Sequence, residues 1–311
     1  MSSVEVTGPA PAVQGAGSAE ARSEVSGPEQ APWAVRANMR FFGSELRLVF
    51  GRRRNQLLML VVALFPLLMG IGLKIAAPHT NGQSGPSGAT GFFNELAGNG
   101  VFLTLIALTF LLILVLPVTV GIIAGDSVAG EAGSGTLRYL LAVPAGRSRL
   151  LAVKYLTIVV FALAVTFLVS IVALVIGVIL FPVGPVTLLS GTSVSLADGL
   201  LRVFLVTLYI SAAMAAVGAI GLAISTLTEH AIGAIAAVMI LVVASEVVDQ
   251  IPQFASVGPY LPTHWWNSFD SLLRSPVDTG TLWHGLLSFA IYAVLFCAFA
   301  WARFTTSDVT S

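Results

Sequence analysis

Ionisable side chains are scarce in this sequence, and the most informative ones lie in one stretch between two apolar runs. Asp126 and Glu131 are five residues apart, and the stretch continues through several arginines to Lys154. A second acidic pair, Glu246 and Asp249, lies near the end of a later apolar run. Acids at membrane depth are candidates for contacting a cation or a polar headgroup. A helix end that dips into the membrane interface would explain the same pair without a binding role.

Sequence motifs of nucleotide-binding and catalytic sites are missing. No G-x-x-x-x-G-K-S/T phosphate loop occurs, and the nearest imitation, Gly130–Thr136, lacks the lysine. No H-E-x-x-H motif or serine nucleophile elbow is present, and Cys297 stands alone. The histidines fall on separate segments without the spacing of metal ligands: His79, His230, His264 and His284. We therefore expect neither an enzyme nor a chain that binds its own metal or cofactor.

The composition excludes an ordinary soluble domain. Of the 311 residues, 56% are hydrophobic and 10% are charged, and the mean hydropathy is +0.92. A soluble domain usually carries roughly 25% charged residues. The formal net charge is zero, so nothing suggests a nucleic-acid partner. We predict an all-α integral membrane protein with the lipid bilayer as its main surrounding.

Apolar runs long enough to cross a bilayer define the architecture. A spanning helix needs about 20 predominantly apolar residues. Thr228, Glu229 and His230 interrupt what would otherwise be one overlong run, so they predict a tight turn. Pro66 and Pro117 lie inside runs and predict kinks. Six spans are predicted: Gln56–Ala76, Val101–Ala124, Lys154–Phe181, Leu200–Leu227, Ala231–Val248 and Leu282–Trp301.

The segments before and after the spans differ in composition from the spans and from one another. Residues 1–32 are rich in Pro, Gly, Ser, Ala and Glu, which predicts a disordered tail. Residues 33–54 alternate aromatic and basic side chains, which predicts an amphipathic interfacial elbow helix anchored by Arg52, Arg53 and Arg54. Residues 55–305 form the predicted transmembrane domain, and residues 306–311 form a short tail.

Basic residues predict the orientation. Counted with the N-terminus inside, twelve Lys and Arg residues fall on the inner side and only Lys74, Arg202 and Arg274 on the outer side. Both termini are therefore predicted to be cytoplasmic. Ile251–Thr281 becomes an outer connection, where Trp265 and Trp266 suit an aromatic belt. Gly121 and Gly125 would allow close helix packing, more simply within one chain than between two.

The longest inner connection, residues 125–153, contains a short apolar stripe. Thr136 can begin a helix and Pro144 should end it. Leu137, Leu140 and Leu141 then share one face at positions i, i+3 and i+4. Because this stripe lies outside the predicted bilayer, we expect a partner protein to bury it.

This connection resembles the cytoplasmic loop between the second and third helices of type-2 ABC-transporter permeases. That family shows an acidic residue, a second Glu, Gly-Thr-Leu, a Leu pair, Pro, Arg and a final Lys in this order. The family also has an elbow helix before six spans, so the resemblance covers about residues 33–305. The predicted ATPase-coupling residues are Asp126, Glu131, Gly135, Thr136, Leu137, Arg138, Leu140, Leu141, Pro144, Arg147 and Lys154.

The resemblance implies a transport subunit. It implies two permease subunits, in a homodimer or a heterodimer, each coupled to a separate ABC ATP-binding subunit that holds ATP and Mg. Export is the usual direction in that family, and the implied location is the bacterial cytoplasmic membrane. The sequence does not identify a substrate. The alternative is a membrane tether or assembly factor that uses the same fold without transporting anything.

Overall fold

The computed structural model describes residues 32–76, 99–133, 147–188 and 190–306. The chain divides into two compact units, residues 1–39 and 40–311. The described part of the first unit is the beginning of α1, and the site discussed below belongs to the second unit. The helices of the described residues are α1 (Pro32–Gly51), α2 (Arg53–Ala76), α3 (Phe102–Ile113), α4 (Val115–Gly133), α5 (Arg147–Leu180), α6 (Leu196–Ser225), α7 (Ala231–Asp249) and α8 (Thr279–Thr306).

The described structure is helical almost throughout, as the sequence predicts. Six helices are long and apolar enough to cross a membrane: α2, α4, α5, α6, α7 and α8. Two short strands, β1 (Val186–Thr187) and β2 (Ser193–Val194), pair antiparallel between α5 and α6. The number and the order of the predicted spans are therefore confirmed, together with the all-α membrane class.

The second predicted span, Val101–Ala124, is divided into two helices at Leu114. Pro117 explains the division. Proline has no N–H to donate to the carbonyl of the residue four positions earlier, and its ring collides with that carbonyl. The residue four positions before Pro117 is Ile113, where α3 ends. Pro66, in contrast, lies within the continuous helix α2, so the two predicted kink sites differ in outcome.

Helices α4 and α5 extend further than predicted toward the connection between them. Helix α4 continues to Gly133, and α5 already begins at Arg147. The predicted loop 125–153 is therefore wrong at both ends, because residues 125–133, with Asp126 and Glu131, and residues 147–153 are helical. Lys154, the first residue of the third predicted span, is helical as expected. The residual connection, 134–146, lies outside the described residues. The prediction ended each span where its apolar run ended, but a helix can continue beyond its apolar run.

Helix α6 forms the centre of the bundle, and glycines bring its neighbours close. A Cβ at Gly221 would lie 2.6 Å from the Ala124 Cβ of α4. A Cβ at Gly121 would lie 3.2 Å from Val238 on α7, and one at Gly125 only 3.0 Å from the backbone nitrogen of Ile235. The Gly121 and Gly125 pair therefore serves packing within the chain, which confirms that interpretation.

The segment 251–278 forms a packed cap beside the ends of α6, α7 and α8. It contains three 3-10 helices: Pro252–Phe254, Gly258–Tyr260 and Trp266–Leu273. Trp266 is only 1% exposed, so its predicted place in an aromatic belt is wrong. Tyr209 on α6 donates a hydrogen bond to the Trp265 carbonyl at 2.8 Å. Alternation of aromatic and polar residues cannot tell a side chain that faces the lipid from one that faces its own protein.

Candidate functional site

The predicted coupling residues lie partly on the described helices. Asp126 and Glu131 lie on the last two turns of α4, and Lys154 lies on the second turn of α5. Arg147 is the first residue of α5. The remaining ones fall outside the described residues: Gly135, Thr136, Leu137, Arg138, Leu140, Leu141 and Pro144. The docking stripe of leucines therefore stays a prediction.

Lys154 is the centre of a buried ion cluster. Its Nζ lies 2.6 Å from Glu131 Oε1 on α4 and 3.8 Å from Glu45 Oε2 on α1. The Lys154 side chain is 3% exposed, and those of Glu45 and Glu131 are 9% and 16% exposed. One ammonium group thus links carboxylates from two other helices. Burial of such a set requires its opposite charges to remain together, because an unpaired buried charge is costly.

Asp126 forms the second part of the cluster. Its Oδ2 accepts hydrogen bonds from Arg52 Nη1 at 2.9 Å and from Arg54 Nη2 at 2.7 Å. Gly130, one turn later on α4, has no Cβ that would collide with the Asp126 carboxylate. The two arginine side chains are about half exposed, at 52% and 55%. Two of the predicted interfacial anchors therefore also bind α4, whereas Arg53 is exposed.

We call Glu45, Arg52, Arg54, Asp126, Glu131 and Lys154 the charged junction. It joins α1 and the beginning of α2 to the two helices that flank the 134–146 connection. Asn55, which is buried, donates from Nδ2 to the Val49 carbonyl at 2.8 Å, and Gln56 donates to the Phe50 carbonyl at 3.0 Å. These amides satisfy carbonyls at the end of α1, which have no partner within a helix. The bend between α1 and α2 is thereby held in a defined geometry.

A small cavity of about 40 Å³ lies within the charged junction, lined in part by Glu45, Asn55, Asp126, Glu131 and Lys154. That volume is sufficient for water molecules bound to polar groups. It is far below the roughly 300–1,000 Å³ of small-molecule sites. Among the described residues, no group of three or more His, Cys, Asp or Glu side chains could hold a metal ion. The geometry is that of an electrostatic joint between helices.

Ser225, the last residue of α6, contacts α4 just beside the charged junction. Its hydroxyl accepts from the N–H groups of Val128 and Ala129, at 3.0 and 2.8 Å. It also donates to the Gly125 carbonyl at 2.8 Å. The Gly125 carbonyl and the Ala129 N–H are four residues apart, the spacing of one backbone hydrogen bond of an α-helix, and the Ser225 hydroxyl binds both groups. Helices often bend where a side chain inserts between such a carbonyl and N–H.

The predicted acidic pair near the end of α7 has a partner that the sequence did not reveal. Asp249 Oδ1 lies 2.6 Å from His264 Nδ1 of the cap. Glu246 lies one turn earlier on the same helix and is half-buried. Asp249 thus fastens the cap to α7, which gives this member of the pair a structural role. Contact with a transported species stays a prediction for Glu246 and Asp249.

Arg202 on α6 also fastens the cap. Its Nε lies 3.2 Å from Asp198 Oδ2 on the same helix, and its guanidinium donates to the carbonyls of Leu272 and Arg274. The acid that pairs with Arg202 therefore lies on the same helix, one turn earlier. Guanidinium groups suit this role because they present several donors in a fixed plane.

Sequence reasoning missed Glu45, Asn55 and Ser225. Glu45 was visible as the one acid within the basic stretch 36–54, and an acid among arginines signals an internal partner. Asn55 follows three arginines directly and could have been read as a helix-end residue. Ser225 gave no signal, because a hydroxyl within a small-residue run suits internal packing equally.

The helices and the paired charges at their ends define a multi-pass membrane protein with a charged joint on one side. Residues 80–310 match the family described as a protein of unknown function (DUF2705), and the chain belongs to this family. No curated protein matches the chain.

Proposed function

We propose that this chain is the transmembrane permease subunit of an ATP-driven ABC transporter of the type-2 class. In this proposal two permease subunits pair in the cytoplasmic membrane of a bacterium, with both termini in the cytoplasm. A separate ATP-binding subunit docks on the 134–146 connection and supplies ATP hydrolysis. The transport direction is export, by analogy with the family that the sequence resembles.

The observation that supports this proposal most is the shared partner of the two helices that flank the connection. Lys154 on α5 and Glu131 on α4 are joined at 2.6 Å, and Glu45 brings α1 into the same cluster. A displacement of the 134–146 connection would therefore move α4, α5 and α1 together. Asp126 adds a link to the start of α2 through Arg52 and Arg54.

A transport subunit needs such a joint, because ATP hydrolysis outside the membrane has to change the arrangement of helices inside it. The break at Leu114 divides the second predicted span into α3 and α4, two segments that can change their relative angle. The Ser225 hydroxyl binds α4 within its continuous length. Coupling of this kind requires a contiguous element with two arrangements. The charged junction links that element to the 134–146 connection, and the Leu114 break supplies a candidate hinge.

The test is co-expression of the full chain with an ABC ATP-binding subunit from the same organism. Co-purification and ATPase activity are measured for wild type, for the Leu137→Asp/Leu140→Asp variant and for Glu131→Ala. Buried leucines typically contribute about 2–5 kcal/mol in a packed core and less at an adaptable interface. We expect the double aspartate variant to lose the ATP-binding subunit while it still inserts into the membrane. Glu131→Ala should retain binding and weaken the stimulation of ATPase activity.

Ser307→Asp/Thr310→Asp in the C-terminal tail is the matched control for added charge outside the spans. Normal binding by the Leu137→Asp/Leu140→Asp variant would remove the proposed coupling stripe. Stable binding of an ATP-binding subunit with no transport of any amphiphile, lipid or ion would favour the tether or assembly factor.

Orientation is tested separately with single cysteines in a Cys297→Ser background. A cysteine within the 251–278 segment, such as Ser256→Cys, should react with an impermeant thiol reagent added to intact cells. Ser134→Cys should react only after the membrane is opened. Labelling of Ser134→Cys from outside would contradict both the orientation and the proposed docking of an ATP-binding subunit.

A further inference from the structure

A groove lies between α5, α6 and α8, away from the charged junction. Its volume is about 500 Å³, which falls within the roughly 300–1,000 Å³ of ligand sites in proteins. Alanines of α6 and α8 form much of its surface and leave the space open between larger leucines. The lining includes Val159 and Leu163 from α5, Leu208 and Ala212 from α6, and Leu286 and Ala290 from α8.

The groove offers an occupant almost no polar side chain. Tyr209 and Ser211 carry the hydroxyl groups of its lining. The Tyr209 hydroxyl donates to the Trp265 carbonyl at 2.8 Å, and the Ser211 hydroxyl donates to the Thr207 carbonyl at 2.7 Å. A polar group placed in this groove would therefore lose its own hydrogen bonds without full replacement. The chemistry of the lining favours a hydrocarbon.

The groove has the length of one membrane leaflet. Its α8 lining runs from Leu282 to Ala293, eleven residue steps, and at about 1.5 Å per residue this is about 16 Å. The hydrocarbon core of a bilayer is about 30 Å thick, so one leaflet contributes about 15 Å. One end of the groove lies at Leu272 of the cap and at Leu282 near the start of α8. The other end therefore lies near the middle of the membrane.

We propose that this groove binds one acyl chain of a membrane phospholipid from the leaflet on the cap's side. The chain lies parallel to α6 and α8, and its glycerol and headgroup lie at the level of the 251–278 segment. There the Trp265 ring stacks on the His284 ring at 5.7 Å between centroids. Aromatic rings of this kind are enriched at the headgroup level. The proposal is independent of the transport function.

A helix of a second copy fits the groove less well than an acyl chain. A helix packed between α6 and α8 would follow these helices over their whole length. The groove instead ends at Ala293, thirteen residues before α8 ends at Thr306. An acyl chain is about as long as one leaflet is thick, so it ends near the bilayer midplane, and the groove also ends there.

The test uses the full chain reconstituted in vesicles of phosphatidylcholine and phosphatidylglycerol. A fraction of the phosphatidylcholine carries a diazirine in the middle of one acyl chain. The protein is extracted, washed in lipid-free detergent and then illuminated, so that only retained lipid can react. We expect labelled residues within 205–215 and 282–293, and little labelling of Ile240 and Val243 on the exposed face of α7.

Filling the groove should release the lipid. Ala290→Leu/Ala293→Leu should lower the retained phospholipid, counted by native mass spectrometry, by about tenfold, the change expected when about two CH₂ groups are kept out of the groove. Ala298→Leu is the matched control, because Ala298 lies on α8 but is exposed outside the groove. Ala212→Leu fills the α6 side of the groove. It replaces the double variant if thermal unfolding shows that the double variant does not fold.

Three outcomes would overturn the proposal. The first is labelling of the α7 face as strong as that of the groove. The second is equal lipid retention by the filled variants and Ala298→Leu. The third is efficient disulfide cross-linking of two chains through Ala290→Cys in a Cys297→Ser background, which would assign the groove to a second copy.

Discussion

The charged junction and the cap lie near opposite ends of α6 and are held together by different interactions. At the charged junction, side chains bind side chains: Lys154 binds Glu131 at 2.6 Å, and Arg54 binds Asp126 at 2.7 Å. The cap also has one side-chain pair, Asp249 with His264, but its links to α6 and α8 run from side chains to backbone carbonyls. Tyr209 donates to Trp265, and the Trp265 indole donates to Pro259 at 3.0 Å. Tyr292 on α8 donates to the Tyr260 carbonyl.

This difference predicts different mobility at the two ends. A carbonyl is fixed by the backbone that carries it, so a donor bound to it has one favourable position. An ammonium or guanidinium group can move from one carboxylate to another and still keep a carboxylate partner itself. Lys154 already has two carboxylates within 4 Å. We expect helix movement at the charged junction and a nearly constant geometry in the cap.

The largest effect is expected from Lys154→Met. The substitution leaves Glu131 and Glu45 buried together without their shared cation. Breaking a buried ion pair by removing one partner typically costs about 3–5 kcal/mol. The free energy of unfolding in detergent and the yield of folded protein measure this loss.

Two controls accompany Lys154→Met. Glu131→Gln in the same chain should restore part of the lost stability, because it removes one of the two buried carboxylates that share Lys154. Lys74→Met should have a smaller effect, since the partners of Lys74 among the described residues are the uncharged Leu180 carbonyl and Phe181 ring. Equal stability of Lys154→Met and wild type would show that the charged junction does not hold the helices together.

Gly285→Ala is the corresponding test of the cap. An added Cβ would collide with the Tyr209 hydroxyl and lie 3.0 Å from Tyr209 Cζ. Overpacking of this kind costs about 1–3 kcal/mol. Hydrogen exchange of the 251–278 backbone should increase. Tyr209→Phe should relieve part of the collision, so the double variant should be less disturbed than Gly285→Ala alone; additive losses would mean that the two residues act independently.

Asp126→Asn should have a smaller effect, because its arginine partners are about half exposed. Exposed ion pairs contribute about 1 kcal/mol or less. We expect a small loss of stability and increased mobility of α1, seen with spin labels on Arg47→Cys. Asp198→Asn is the control, since it removes an acid that is paired with Arg202 at the far end of α6. An unchanged label spectrum for Asp126→Asn would argue against a link between α1 and α4.

The smallest effect is expected from Asp270→Asn in the cap. Burial raises the pKa of the Asp270 carboxyl, and the nearby Arg274 opposes this only in part. A raised pKa in the folded protein means that the charged form is disfavoured there, so the ionised carboxyl destabilises the cap at neutral pH. Asparagine should therefore stabilise the cap slightly at pH 7, and the gain should vanish as the pH falls through the pKa of Asp270. A gain that is the same at pH 7 and pH 3 would contradict this origin.

The pairing of the charged junction was only partly predictable. Asp126, Glu131 and Lys154 were singled out from the order of residue types along the chain, without knowledge of which would meet. The helical positions of Asp126 and Glu131 were not predicted, because the apolar run of α4 ends before the helix does, whereas Lys154 was predicted at the start of a span. Glu45 lies 86 residues before Glu131, and no local pattern relates residues at that separation. Only the packing of α1, α4 and α5 brings both to the same ammonium group.

The sequence by itself determined the membrane class, the six spans and the turn between α6 and α7. Each follows from a local property: the length of an apolar run, or the polar residues that interrupt it. Tertiary structure decided which surfaces meet. Trp266 was expected at a lipid interface and is buried, because the cap folds back on α6 and α8. The groove between α5, α6 and α8 likewise depends on helices distant in sequence, since a cavity is a property of the space between elements.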